Sequence, residues 1–420
     1  MPYRIVVVPL LFLSACTAPR GAGPNVDAQI AAEIARIKAI DNHAHPVRPT
    51  LDGEPPDHEY DALPVESLEA QSEPIRQRPG SPELLAAHRE IFGGDKPAAA
   101  RKYGRDYAAQ VLDRLNIETM LANRVAIGPG LTTPRFLWVP FADALMYPLP
   151  TDPLIHNSDQ KAFFALEARL LQRYYAESGI AVRPATLGDY LDKVVRATLE
   201  RHKSAGAVAE KFEMVYLRPL TIGNPARADA EQVYATGRGD YTALQDYIFR
   251  FIATECGRLG MAVHFHTGAG GGGYFNVTAS NPLLLEPLFN DPNLRRTNFV
   301  LLHGGWPFER QLTALLTKPN VYADFSAQSF MNYSRNTAAA IRAWLEYVPE
   351  KVLYATDAYP YAPPAAGWEE VASVANTSGR EALAIALTGM LRDREITRPR
   401  AVELARMVLR GNARALYRLP

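Results

Sequence analysis

The stretch Ile40-Asp41-Asn42-His43-Ala44-His45-Pro46 reads as a short strand that ends in two histidines one residue apart. Alternate side chains of a strand share a face, so His43 and His45 point the same way. Two imidazoles on one face at a strand end can grip a single divalent cation. By itself this is a weak signal. Its value depends on whether later strands end in matching ligands.

They do. From residue 207 onward apolar strands alternate with amphipathic helices. The expected strands are 38–43, 117–127, 135–141, 207–218, 261–266, 298–303, 320–325 and 351–356. Alternation with buried, apolar strands implies a parallel sheet. Eight such units predict an α/β fold of the (β/α)8 barrel type. A doubly wound open sheet is the alternative, but the first strand is not followed by a Gly-x-Gly-x-x-Gly turn. In a barrel, functional groups gather at the carboxyl ends of the strands. The first ends in His43 and His45, the fifth in His264-Phe265-His266, the sixth in Leu302-His303-Gly304 and the eighth in Thr356-Asp357-Ala358. Core histidines scattered at random would not favour strand termini in this way.

The rest of the chain sets bounds. Its 420 residues include 45 Lys plus Arg and 45 Asp plus Glu, so the formal net charge is zero. A nucleic-acid binder would show a basic excess. A small-molecule substrate is the expected partner, and assembly is not readable. Residues 1–15 read as a signal peptide, with Arg4 as the positive start and Ile5 to Leu13 as an apolar run too short to span a bilayer. It ends in Leu13-Ser14-Ala15-Cys16, which resembles a bacterial lipoprotein signal. That resemblance implies cleavage before Cys16, lipidation of Cys16 as the only membrane attachment, a tether over 16–28, and residence in the cell envelope or periplasm. Only Cys256 would then remain, so no intrachain disulfide forms. Its apolar helical context assigns it to core packing. Residues 29–420 are expected to form one barrel domain, with a Pro-rich excursion over about 46–100 and a helical insertion over about 145–205.

The motifs together resemble the metal-dependent amidohydrolase superfamily, in its amidohydrolase 2 branch with nodulin/FluG-like domains. They are Asp41-Asn42-His43-Ala44-His45, the run from Gly206 to Lys211, His266-Thr267-Gly268, Val300-Leu301-Leu302-His303-Gly304, Asn320-Val321-Tyr322-Ala323-Asp324 and Thr356-Asp357-Ala358. The resemblance implies His43, His45, His266 and Asp357 as metal ligands. It implies Asp357 as the proton shuttle and His303 as a catalytic group or second-metal ligand. Such donors suit one zinc ion, and other first-row divalent ions as well. It also implies a hydrolase that attacks an amide or ester bond with metal-activated water. A decarboxylase is the runner-up, and a non-catalytic envelope binding protein the contrasting class.

Lys211 bears on the number of metals, because binuclear members bridge two ions with a fourth-strand lysine. If that strand runs to 218, Lys211 lies roughly 20 Å below its far end. That depth predicts one ion, and a strand ending near 213 would remove the argument. Tyr216 and Arg218 are expected at the same strand's mouth, with Arg218 able to bind a substrate carboxylate. His264 lies roughly 7 Å deeper than His266, as a supporting or core group. Trp306 is a candidate pocket residue. Gly268 and Gly270 to Gly273 lack a phosphate-loop ending and predict a mobile rim or a close backbone approach.

Overall fold

The computed structural model describes residues 26–51, 53–65, 68–360 and 366–420. The expected signal segment and Cys16 lie outside the described residues. No helix among those described is long and apolar enough to cross a membrane.

Eight parallel strands form in chain order. They are β1 (Ala39–Ala44), β2 (Ile117–Asn123), β3 (Phe136–Val139), β4 (Ala209–Phe212), β5 (Ala262–His266), β6 (Phe299–Leu302), β7 (Val321–Asp324) and β8 (Val352–Leu353). Ladders join β1-β2-β3 and β4-β5-β6-β7-β8. Backbone hydrogen bonds close both gaps between these sheets. On one side Val208 N donates to Trp138 O (3.1 Å) and Lys211 N to Pro140 O (2.7 Å). On the other Asn42 N donates to Tyr354 O (3.0 Å) and Asp357 N to His43 O (2.8 Å). The result is the expected barrel. Ile40, Leu121, Val139, Val300, Leu302 and Leu353 pack together inside the ring. Neighbouring strand positions such as Phe265, Phe299 and Leu301 face the outer helices, as strand alternation requires.

The fourth strand is shorter than the pattern suggested. It stops at Phe212, and a 3-10 turn follows at Met214–Tyr216. The cause is a side chain from elsewhere in the chain. Both carboxylate oxygens of Asp143 accept the Glu213 amide, at 3.0 and 2.9 Å, which takes that N–H out of the ladder. The eighth strand is also short. Its continuation is held by Asp41, whose carboxylate accepts from Thr356 N (2.9 Å) and Thr356 Oγ1 (2.6 Å).

The 46–100 excursion carries the helix Pro82–Phe92 and the start of Lys96–Tyr103. The insertion before β4 carries the 20-residue helix Ser158–Glu177. Cys256 is buried in the helix Tyr241–Leu259, which ends on Gly260 in the left-handed region.

Candidate metal centre

β1 delivers His43 and His45 to the carboxyl end of the barrel, and the turn after β8 delivers Asp357. Asp357 Oδ1 lies 3.1 Å from His43 Nε2 and 3.6 Å from His45 Nε2. One donor atom from each of the three falls within 4.8 Å of the others. His45 Nδ1 donates to the Tyr60 carbonyl at 3.0 Å. That bond fixes the tautomer and leaves Nε2 as a bare lone pair facing Asp357.

His303 follows β6 and is anchored from β7. Its Nδ1 lies 2.8 Å from Ser326 Oγ, and Ser326 donates onward to Asp324. Its Nε2 lies 3.2 Å from His266 Nδ1 at the end of β5. His303 (φ 62°), Ala327 (φ 57°) and Asp357 (φ 55°) all occupy the left-handed region although none is glycine. Such conformations cost about 1–3 kcal/mol each and persist only where the surroundings impose them. Here the His303 amide is held by Asp324 Oδ1 (2.9 Å) and the Asp357 amide by His43 O.

The electrostatics favour lone-pair donors. Burial holds the imidazolium forms of His43, His45 and His303 far below the usual histidine range, with Lys211 adding to the effect. His266 is lowered to about 3 by burial and then by Lys211. Burial raises Asp357 to about 7. His43 Nε2 and His266 Nε2 are buried without a hydrogen-bond partner. Orphaned imidazole nitrogens beside a carboxylate are what a divalent first-row cation would satisfy. The residues therefore fit the metal that the sequence implied. A second group, His45 with Asp61 and Glu213, also meets within 4.8 Å. Its histidine nitrogen nearest Asp61, at 3.5 Å, is Nδ1, already donating to Tyr60. We read Asp61 as support for His45 rather than as a ligand of a second ion.

A cavity of about 550 Å³ opens above these groups. Val65, residues 68–74, Gln77, residues 269–272, Ala327, Phe330 and Met331 wall it.

Residues 40–419 match the model of the amidohydrolase family described as Amidohydro_2. The chain belongs to the amidohydrolase family. No curated protein matches it. A protein from Lactobacillus casei described as a metal-dependent hydrolase has a similar fold, with 14% identity, 93% of this chain and 97% of that one covered, and a TM-score of 0.57. A uronate isomerase from Thermotoga maritima is similar at 12% identity, covering 95% and 100%, with a TM-score of 0.56. A glucuronate isomerase from Caulobacter crescentus is similar at 13% identity, covering 93% of each chain, with a TM-score of 0.55. At these identities the likeness establishes the barrel and nothing finer.

Within this amidohydrolase fold, the expected site residues separate into two sets. His43, His45, Lys211, Tyr216, His266, His303 and Asp357 all line the cavity. His266 stands against His303, outside the compact group of His43, His45 and Asp357. The depth argument on Lys211 fails, because β4 ends one residue beyond it. Its Nζ lies 3.0 Å from Glu213 Oε1, at the cavity floor.

Two other expectations, those for Arg218 and Trp306, are corrected. Arg218 does not face the cavity; it pairs with Asp246 (2.6 Å) and Gln245 (2.8 Å) on the neighbouring helix. His264 is buried below the site, its Nε2 2.7 Å from Tyr417 Oη. Trp306 is absent from the lining and contributes its backbone carbonyl, which accepts from Ala269 N at 2.7 Å. That approach explains one glycine: a Cβ on Gly268 (φ 76°) would lie 2.2 Å from the Trp306 oxygen.

Asp61, Glu213, Asp324 and Ser326 were missed. Ser326 follows the expected end of the seventh strand, so the strand-end rule applied there would have found it, whereas Glu213 was hidden because the fourth strand was read through to 218 and stops at Phe212. Asp61 lies in the irregular excursion and carries no sequence signal.

Proposed function

We propose that this chain is a metal-dependent hydrolase that cleaves an amide or ester bond of a small molecule. The observation that carries the reading is the convergence of His43 Nε2, His45 Nε2 and Asp357 at the floor of the cavity. Its imidazoles are neutral and their tautomer, at His45, is set by a backbone carbonyl. His43, His45 and Asp357 would hold one divalent cation, with His266 beside them. When bound, such a cation supplies Lewis acidity, polarising a substrate oxygen and acidifying water.

The protein's own groups then divide the remaining work. Asp357 takes the proton of the attacking water and returns it to the leaving nitrogen or oxygen. His303, 3.7 Å from Asp357 Oδ2, faces that exchange and is held in place by Ser326. Tyr216 Oη accepts the Gly271 amide at 3.2 Å, which leaves its O–H to donate to the substrate carbonyl. Burial keeps that phenol protonated. In decarboxylation or sugar-acid isomerisation a substrate carboxylate would have the bound cation as its partner, with no free Lys or Arg beside it. The only Lys or Arg in the described lining is Lys211, which is already paired with Glu213.

The test is metal content with turnover. Purified chain loaded with zinc is expected to hold about one ion per chain and to cleave amide or ester probes. Chelation abolishes that cleavage, and His43→Ala loses both metal and activity. Stoichiometric metal with release of carbon dioxide or an isomerised product, and no hydrolysis, would overturn the reading.

A further inference from the structure

The helix Asn412–Tyr417 stands apart from the site just described. Asn412 Nδ2 donates to the carbonyls of Pro349 (2.7 Å) and Val352 (2.8 Å), at the start of β8. The helix therefore sits at the amino-terminal end of the barrel, opposite the metal centre. Ala413 is buried in the interior cluster, and Leu416 and Tyr417 pack against it. The Tyr417 hydroxyl reaches further in. It donates to Asn42 Oδ1, and His264 Nε2 lies 2.7 Å from the same hydroxyl oxygen. A phenol has one proton to give. That proton goes to Asn42, so His264 Nε2 is the donor to Tyr417.

Asn42 carries the run onward. Its Nδ2 donates to Asp324 Oδ2 at 2.8 Å. Asp324 Oδ1 accepts the His303 amide (2.9 Å), the Ser326 amide (3.1 Å) and the Ser326 hydroxyl. Ser326 Oγ in turn lies 2.8 Å from His303 Nδ1. An unbroken series of hydrogen bonds thus leads from Tyr417 to His303, and contiguous networks of this kind can carry coupling across a fold. Each planar group is oriented by the one before it. The phenol selects which end of the Asn42 amide faces Asp324. The amide fixes the plane of the carboxylate. The carboxylate holds the left-handed His303 backbone (φ 62°) and its Ser326 partner.

We propose that Tyr417 is a positioning residue for His303, acting across the barrel through Asn42, Asp324 and Ser326. The proposal deepens the hydrolase reading and rests on it for turnover only. Without the hydroxyl, Asn42 Oδ1 and the His264 ring N–H are two buried groups deprived of a partner, which is costly. Their recourse is each other, and that draws the amide away from Asp324 and loosens the grip on His303.

Tyr417→Phe keeps the ring and its packing and removes only the hydroxyl. In the zinc-loaded full chain, with the ester probe para-nitrophenyl acetate, kcat is expected to fall about tenfold with KM unchanged. Nitrogen-15 NMR of labelled histidines gives a readout that needs no turnover. The His303 Nδ1–H signal, identified by its absence from His303→Gln, should be present in the wild type. In Tyr417→Phe it should be lost or shared between the two ring nitrogens. Leu416→Ala is the control. It loosens the same helix without touching the run, so it should lower the melting temperature and keep both kcat and the signal. An unchanged kcat or an unchanged signal in folded Tyr417→Phe overturns the proposal. Equal losses in Leu416→Ala overturn it too, since the effect would then be one of packing. If the wild type cleaves no ester or amide, the hydrolase reading fails and the NMR comparison alone decides the positioning role.

Discussion

Ser326 shows how one hydroxyl can decide what a candidate catalytic histidine does. Its Oγ lies 2.8 Å from His303 Nδ1 and donates to Asp324, so the hydroxyl is left to accept from the imidazole. Asp324 in turn receives the His303 amide, the Ser326 amide and Asn42 Nδ2 (2.8 Å). The chain Asp324–Ser326–His303 therefore places the proton on Nδ1 and aims Nε2 at His266. Partners of this kind typically change activity or metal affinity by about 10- to 100-fold when removed. Ser326→Ala is expected to lower kcat by about tenfold, with little change in KM, while Ser326→Thr recovers part of it. A KM effect alone would show that Ser326 serves the substrate and not His303. His303 itself was legible, because an imidazole at a strand end stands out in a sequence with few histidines. Ser326 was not, because serine is common and its role depends on a contact across the barrel.

Among the elements, the long excursion after β1 is fastened by a buried ion pair. Arg124, immediately after β2, is fully buried. It donates to Asp57 Oδ1 (2.8 Å) and Oδ2 (2.9 Å) and to the Pro46 carbonyl (2.6 Å). Burial alone would raise the Asp57 pKa, but the guanidinium outweighs it and holds the carboxyl down at about 2. A depressed carboxylate pKa contributes stability above its unfolded value, 3.8, and loses it as the pH falls through about 2. The linkage amounts to about 2 kcal/mol. Denaturant unfolding at neutral pH and near pH 2 should show that loss in the wild type and not in Asp57→Asn. That variant should also be less stable at neutral pH by about 3 kcal/mol, since it strands a buried guanidinium. An equal acid dependence in both proteins would remove Asp57 from the account. Sequence indicated that the excursion was irregular and left from the metal site. It did not reveal the fastening, since neither Arg124 nor Asp57 belongs to a periodic pattern. β4 was misjudged for a related reason. Residues 207–218 remain apolar well past the true strand end, and only Asp143 capturing the Glu213 amide stops the ladder.

For the whole molecule, the eight-strand count and the site at the carboxyl ends followed from periodicity and strand termini. How the ring closes did not. The join between β8 and β1 depends on an irregular run of backbone bonds and on Asp41 reaching Thr356 through its side chain. β8 itself pairs with β7 through only two residues, Ala323 with Val352 and Asp324 with Leu353. Like the join between β3 and β4 this one lacks a regular ladder, and it is where the candidate metal ligands come from. His43 and His45 lie on one side of the seam and Asp357 on the other. A cation held by all three would staple β1 to β8 and stabilise the folded chain by mass action, about 4 kcal/mol at a thousand times its dissociation constant. Chelation should therefore do more than lower the melting temperature. Amide exchange should accelerate at Asn42, His45 and Asp357, whose N–H groups bridge the seam. Lys211 N, which bridges the opposite gap from β4, should stay protected. Uniform acceleration around the ring would mean that the metal stabilises the barrel as a whole. No acceleration at the seam amides would mean that the seam is held by Asp41 and Thr356, and that His43, His45 and Asp357 do not share an ion.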